Sequence, residues 1–200
     1  MKSPSFFDEV VSIEMIDPLA NVLGTFEDGK VTFTYLDVVK AAGHSCPTVS
    51  GAYIMTYHAL KALYKDELPV RGMVDVSFRE SVDEGVAGVI GNVITHITGA
   101  TDKSGFKGLN QKFARHSLMH FDTDITSSAR FKRVDTGEMV DVFYDPSSVM
   151  PDPKMQPLMQ LMLQNKASKE EIKEFGTLWQ ERVRKIIVEN MNSVIRIEKI

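Results

Sequence analysis

Phe6, Val10, Ile13, Ile16, Leu19 and Ala20 recur at the spacing of one helix face, so the first segment is predicted as a helix, divided near Pro18 and stopped by Gly24. After the turn "EDGK", Val31 to Phe33 reads as a short strand. Leu36, Val39 and Ala42 then take up a helical face that ends at Gly43. The stretch "GHSCPTVS" follows, and beyond it Pro47 stands at a first-turn position of a helix running to Tyr64. Small residues at Ser50, Gly51 and Ala52, with Ile54, Met55, Ala59 and Leu63, predict that this helix is buried and that Cys46 lies at its N-terminus.

Residues 71–80 alternate Met73 or Val74, Val76 and Phe78 with polar positions, the pattern of a half-buried strand. Residues 85–98 fit helix or strand. Gly85, Gly88 and Gly91 would each cost a helix about 1 kcal/mol relative to alanine, but their spacing clears one face for close packing, and helix is the favoured reading. A glycine-bearing loop leads to strand candidates at 116–124, 128–134 and 138–145, the last two joined by the turn "VDTGEM". Helices are predicted over 153–165 and from Ser168, where Ser168 and Glu171 form a capping box, and a final strand over 193–200. The pattern therefore predicts an α+β fold. An antiparallel sheet including 71–80 and 129–144 packs on the Pro47–Tyr64 helix in a core domain, 1–150, with a helical extension, 151–200, packed against it.

Composition narrows the partners. At 43% hydrophobic and 25% charged, the 200-residue chain can bury one sizeable core. A net charge of -4 and a pI near 5.7 offer no basic footprint for nucleic acid, and no stretch approaches the about 18 apolar residues of a membrane span. The opening "MKSPSFFDEVVSIE" carries acids where an export signal would be apolar, so a cytoplasmic protein is expected. Cys46 is the single cysteine, which excludes an internal disulfide, a CxxC pair and a four-cysteine zinc finger.

A thiol at a helix N-terminus feels the positive end of the helix dipole, which favours the thiolate that binds metal or attacks an electrophile. His44 lies two residues earlier on a turn and can share a metal with it. The plainer alternative is a buried cysteine beside a capping histidine. A cysteine nucleophile lacks an assignable partner. Since zinc needs at least three protein ligands in a stable site, further donors would come from His96, His116, His120, Asp83, Glu84 or a second copy of the chain. His58 lies about 16 Å along the helix at roughly 1.5 Å per residue, too far to join Cys46. The methionines of "KMQPLMQLMLQ" read as packing between helices, and "SGFKGL" as a turn.

The block "YLDVVKAAGHSCPTVSGAYIMTYHALKALY" resembles the opening of the FmdE-like family, named for a component of formylmethanofuran dehydrogenase, with its His-x-Cys-Pro motif at His44, Cys46 and Pro47, followed by Gly51. "VIGNVITHITGATDKSGFKGL" resembles the family's second block, keeping Thr98, Gly99 and Thr101. The likeness covers roughly residues 35 to 145. It implies an α+β core, a homodimer, and a transition metal, typically zinc, at His44 and Cys46. Departures are Ala42 for a histidine, Thr48 for a glycine, Val89 and Ala100 for cysteines, Asn92 for an aspartate, and no C-terminal zinc finger. Two functions follow as expectations. One is a metalloprotein or metalloenzyme with a His/Cys site; the other is a non-catalytic accessory protein that captures a metal, a haem or a small-molecule ligand. The surplus of apolar residues in the C-terminal helices, Trp179, Ile186 and Ile187 among them, adds to the expectation of a homodimer.

Overall fold

Capping side chains and the period of the apolar positions divide the chain into its elements, seen in a computed structural model that describes residues 3–110 and 112–200. A 3-10 turn, Ser5–Glu9, precedes β1 (Ile13–Ile16) and α1 (Pro18–Val22), and β2 (Lys30–Phe33) leads to α2 (Tyr35–Ala42) and α3 (Pro47–Tyr64). β3 (Val74–Ser77), α4 (Ala87–Thr98), β4 (Met119–His120), β5 (Ala129–Arg133) and β6 (Met139–Tyr144) follow. The chain closes with α5 (Met155–Leu163), α6 (Lys169–Arg184), a π-helical turn at Lys185–Glu189 and β7 (Ile195–Lys199).

The architecture is α+β. β1 and β2 pair antiparallel, and a five-stranded sheet has the order β4-β3-β5-β6-β7. β3, β5, β6 and β7 are antiparallel, whereas the short edge strand β4 runs parallel to β3. Because β7 pairs with β6, the C-terminal region contributes to the same sheet as the residues before 150. No helix among the described residues is long and apolar enough to cross a membrane.

α3 carries apolar side chains around most of its circumference, with Lys61 left exposed, and a helix of that kind must be covered on most sides. Twelve of its eighteen residues are buried. The sheet covers one side through Ala129, Phe131, Val140 and Val142, while α2 and α4 cover another. Ile186 and Ile187 of the π-helical turn are fully buried and Trp179 packs on the same core, so these residues are used within the single chain. The outer sheet face is polar and internally paired. Arg130 holds Asp141 with two bonds of 2.8 Å, Ser127 adds a third, and His120 meets Asp75 at 2.8 Å.

Two sequence expectations are corrected here. The first segment is not a helix divided at Pro18. Ile13 and Met15 are buried with Glu14 exposed between them, a period of two that makes β1, and Asp17 then caps α1 by accepting the Leu19 and Ala20 amides at 3.0 and 3.1 Å. The strand expected over 116–124 contracts to Met119–His120. Ser117 and Asp122 have φ of 56° and 58°, and such left-handed residues interrupt an extended backbone on both sides. Of residues 85–98, Ala87–Thr98 resolve as α4, and Gly85, at φ 56°, lies in the turn before it. A Cβ on Gly91 would lie 3.2 Å from both Met119 and Phe121, and one on Gly88 would lie 2.6 Å from the Val82 carbonyl. Those glycines admit the chain that packs beside the helix.

Asp17 also joins distant segments. It receives Arg71 at 3.0 Å and Arg115, itself buried, at 2.6 Å, while Arg71 donates to the Ile97 and His96 carbonyls in the last turn of α4. Burial pushes the Asp17 carboxyl up, but the Ala20 amide and the two guanidiniums outweigh it and hold the group below its ordinary range. A carboxyl depressed in the folded state stabilises fully above its unfolded pKa, near about 3.9, and loses that contribution as pH falls through the folded value. Asp17→Asn leaves Arg115 buried without its charge partner, and its expected cost at pH 7 is about 3–5 kcal/mol in urea unfolding. The variant's stability should also vary less with acidification than the parent's. A cost below about 0.5 kcal/mol with an unaltered acid limb would contradict this account.

Candidate functional site

The turn that carries His44 is made by the end of α2. Thr34 and Asp37 form a reciprocal capping box at its start, and Gly43, at φ 78°, closes it in the left-handed conformation with its amide on the Val39 carbonyl. His44 leaves this reversal exposed, with Nδ1 3.1 Å from the Ala42 carbonyl. A carbonyl only accepts, so Nδ1 carries a proton, and in the neutral imidazole that leaves the lone pair on Nε2. Metal-binding histidines are commonly oriented by such a second bond.

His96 comes from the last turn of α4, which Gly99 ends at φ 76°. Its ring meets Phe33 edge to face at 5.6 Å, makes no hydrogen bond among the described residues, and has Nε2 buried without a partner. Burial lowers its pKa, the Arg71 guanidinium lowers it further, and Asp37 partly opposes them. The imidazole is therefore neutral at pH 7, the form that coordinates metal or offers one donor and one acceptor.

Both histidines line one cavity of about 210 Å³ between α2 and α4. Val38, Ala41 and Ala42 form one wall; Val89, Asn92, Val93 and His96, at the spacing of one helix face, form the other. Of the candidate third ligands, His96 is the one placed with His44.

Cys46 is placed differently. It caps α3, its Sγ accepting the Val49 amide at 3.4 Å, and it lies buried in the hydrophobic core rather than lining the cavity of the histidines. Its turn is fastened from three directions. The Ser45 carbonyl accepts Trp179 Nε1 at 3.0 Å and Gln180 Nε2 at 3.1 Å, the Tyr35 and Ser45 hydroxyls meet at 2.9 Å, and Tyr144 donates to the Pro47 carbonyl at 2.7 Å. Burial pushes both tyrosine hydroxyls up, so they remain protonated. Gly51 makes room for Tyr144, whose ring would lie 2.3 Å from a Cβ there.

The remaining candidates are dispersed. His120 is engaged with Asp75 on the outer sheet face, and His116 stands in the turn before β4, beside the Ser117 hydroxyl, and not on the strand face expected for it. Asp83 bonds Ser81 in an exposed loop, Glu84 is exposed beside it, and His58 lies on α3. Among the described residues, no three His, Cys, Asp or Glu side chains are grouped to hold a metal ion. A scan against protein-family models finds no match for the chain, and a search of curated proteins finds none.

Tyr35, Tyr144, Trp179 and Gln180 were not legible as neighbours of the turn, because contacts spanning up to 135 positions leave no local pattern. Asn92 has a clear signal once α4 is accepted, since it lies one turn before His96. The state of His96 can be read directly by NMR. Its ring nitrogens should titrate below the ordinary histidine value of about 6.5 and show the neutral form at pH 7. A midpoint at or above that value would contradict the burial described here.

Proposed function

We propose that this protein binds a borderline transition-metal ion, zinc or one like it, in the cavity between α2 and α4, with His44 and His96 as its protein ligands. One observation carries the reading: His44, with a lone pair on Nε2, and the unpartnered imidazole of His96 line the same small cavity. Imidazole suits zinc and its neighbours, whereas calcium and magnesium take oxygen ligands. Two imidazoles are one fewer than the three protein ligands of an open zinc site, so the reading calls for a weakly held ion whose other positions are filled by water or a bound molecule. The volume suits an ion with a small completing ligand better than a haem.

This reading keeps the histidine of the FmdE-like motif and gives Cys46 the role of helix cap. A thiolate ligand would have to give up the Val49 amide and leave the core. Catalysis by a metal-bound water calls for a nearby group to manage its proton. Apart from the two histidines the cavity is lined by Asn92 and aliphatic side chains, so binding is favoured over catalysis.

Zinc titration by calorimetry, on protein first stripped with a chelator, tests the proposal. The parent should bind one zinc per chain. His44→Ala and His96→Ala should each weaken it by about tenfold or more, about 1.4 kcal/mol, while Cys46→Ser retains it, with circular dichroism confirming that each variant is folded. A parent that takes up no zinc at micromolar concentration would refute the proposal. Loss of binding in Cys46→Ser alone would restore the thiolate site.

A further inference from the structure

We infer that the outer edge of β7 is a self-complementary docking surface for a second copy of this chain. The two β7 strands pair antiparallel about a two-fold axis at Ile197 and join the two five-stranded sheets into one. Neither the cavity between α2 and α4 nor an ion takes part.

The register of β7 on β6 decides which of its main-chain groups are free. The Val194 carbonyl accepts the Asp145 amide at 2.9 Å and Ile200 donates to the Met139 carbonyl at 3.2 Å, at the two ends of a ladder that runs without a bulge from Tyr144–Ile195 to Val140–Lys199. Bonded and non-bonded positions alternate in an antiparallel pair, so Arg196 and Glu198 also bond to β6, and the amides and carbonyls of Ile195, Ile197 and Lys199 point away from it. Among the described residues, no hydrogen bond reaches those outward groups. Sheets ordinarily blunt such an edge with proline, a bulge, brevity or a covering segment. The opposite edge is blunted, because β4 has two residues and left-handed Ser117 and Asp122 stand close to its ends. β7 has five residues and no proline.

Charge selects the occupant. Arg196 and Glu198 are exposed on the outer face of the sheet, where they pair with each other and the Arg196 guanidinium lies over the Phe143 ring at 3.7 Å. A two-fold axis at Ile197 sets Arg196 opposite Glu198 of the second copy, and the reverse, at non-bonded positions where facing side chains come closest. Ile197 then faces Ile197 of the second copy and Ile195 faces Lys199 of the second copy, and each of these pairs exchanges both of its main-chain bonds. Sliding the axis to Arg196 or to Glu198 sets like charges directly opposite each other, which is unfavourable. The strand is therefore its own complement in one register. On the inner face Ile195 belongs to the core and Ile197 packs against it, so the apolar layer beneath the sheet continues across the axis.

An edge pairing belongs with the smaller, weaker interfaces, and a dimer that forms in the micromolar range is expected. Sedimentation equilibrium from about 1 to about 200 µM should show the 22.4 kDa chain passing into a species of twice that mass. Arg196→Glu, which faces acid with acid at both cross-strand pairs, should weaken the dimer about tenfold or more, as should Glu198→Arg, and the double variant Arg196→Glu with Glu198→Arg should restore it. Ile197→Pro should abolish the dimer and leave the monomer folded, since the Ile197 amide takes no part in the ladder with β6. Circular dichroism checks the fold of each variant. Amide exchange at Ile195, Ile197 and Lys199 should slow as the parent's concentration rises. A parent that stays monomeric over the whole range overturns the inference. A dimer equally stable in the two single reversals and the double variant also overturns it, as does one in which those three amides exchange equally fast at both ends of the range.

Discussion

Helix α3 offers water only a narrow strip around Lys61, and the positions of its neighbours follow from covering the rest. The sheet takes one side with Phe131, Val140 and Val142, the π-helical turn brings Ile186 and Ile187 to it, and α2 and α4 lie side by side on what remains. A helix covered in this way still has an N-terminus whose amides need acceptors, and Cys46 supplies one where Pro47 has no amide to satisfy. The thiol belongs to the burial of α3. That explains why Trp179, Gln180, Tyr35 and Tyr144 all bond to the turn around it. The histidines belong to the seam between α2 and α4, where Ala41 and Ala42 are too small to fill the gap.

Charge organises the end of α4. Asp17, held by Arg71 and Arg115, ties the start of α1 to the last turn of α4, and Arg71 also covers the Ile97 and His96 carbonyls that the helix leaves unpaired. The ring that lines the cavity and a carbonyl that anchors the ion network thus both belong to His96. A guanidinium beside the ring and an imidazole kept neutral by burial are consequences of one arrangement.

Much of this was readable where a local rule operates without competition. Pro47, the small residues after it and Tyr64 bound α3 as the sequence predicts, Thr34 and Ser168 cap α2 and α6, and the alternation about Val74 and Val76 makes β3. Reading failed where two periods overlap. Phe6 to Ala20 satisfy a helical spacing, yet Ile13 and Met15 obey a strand period that pairing with β2 enforces. It failed again at Ser117 and Asp122, because a left-handed backbone at a non-glycine residue carries little signal. For the site, the local pair His44 and Cys46 shares one turn but not one environment. Residues two apart across a helix cap face different surroundings, one toward the seam and one into the core.

On this account the imidazoles of His44 and His96, and not the thiolate of Cys46, hold the ion. X-ray absorption at the zinc edge of the loaded protein tests that claim most directly, since sulfur and nitrogen ligands differ in both distance and scattering. The expected result is a shell of nitrogen and oxygen at about 2.0–2.1 Å with the outer scattering of two imidazole rings. A sulfur shell at about 2.3 Å would contradict it.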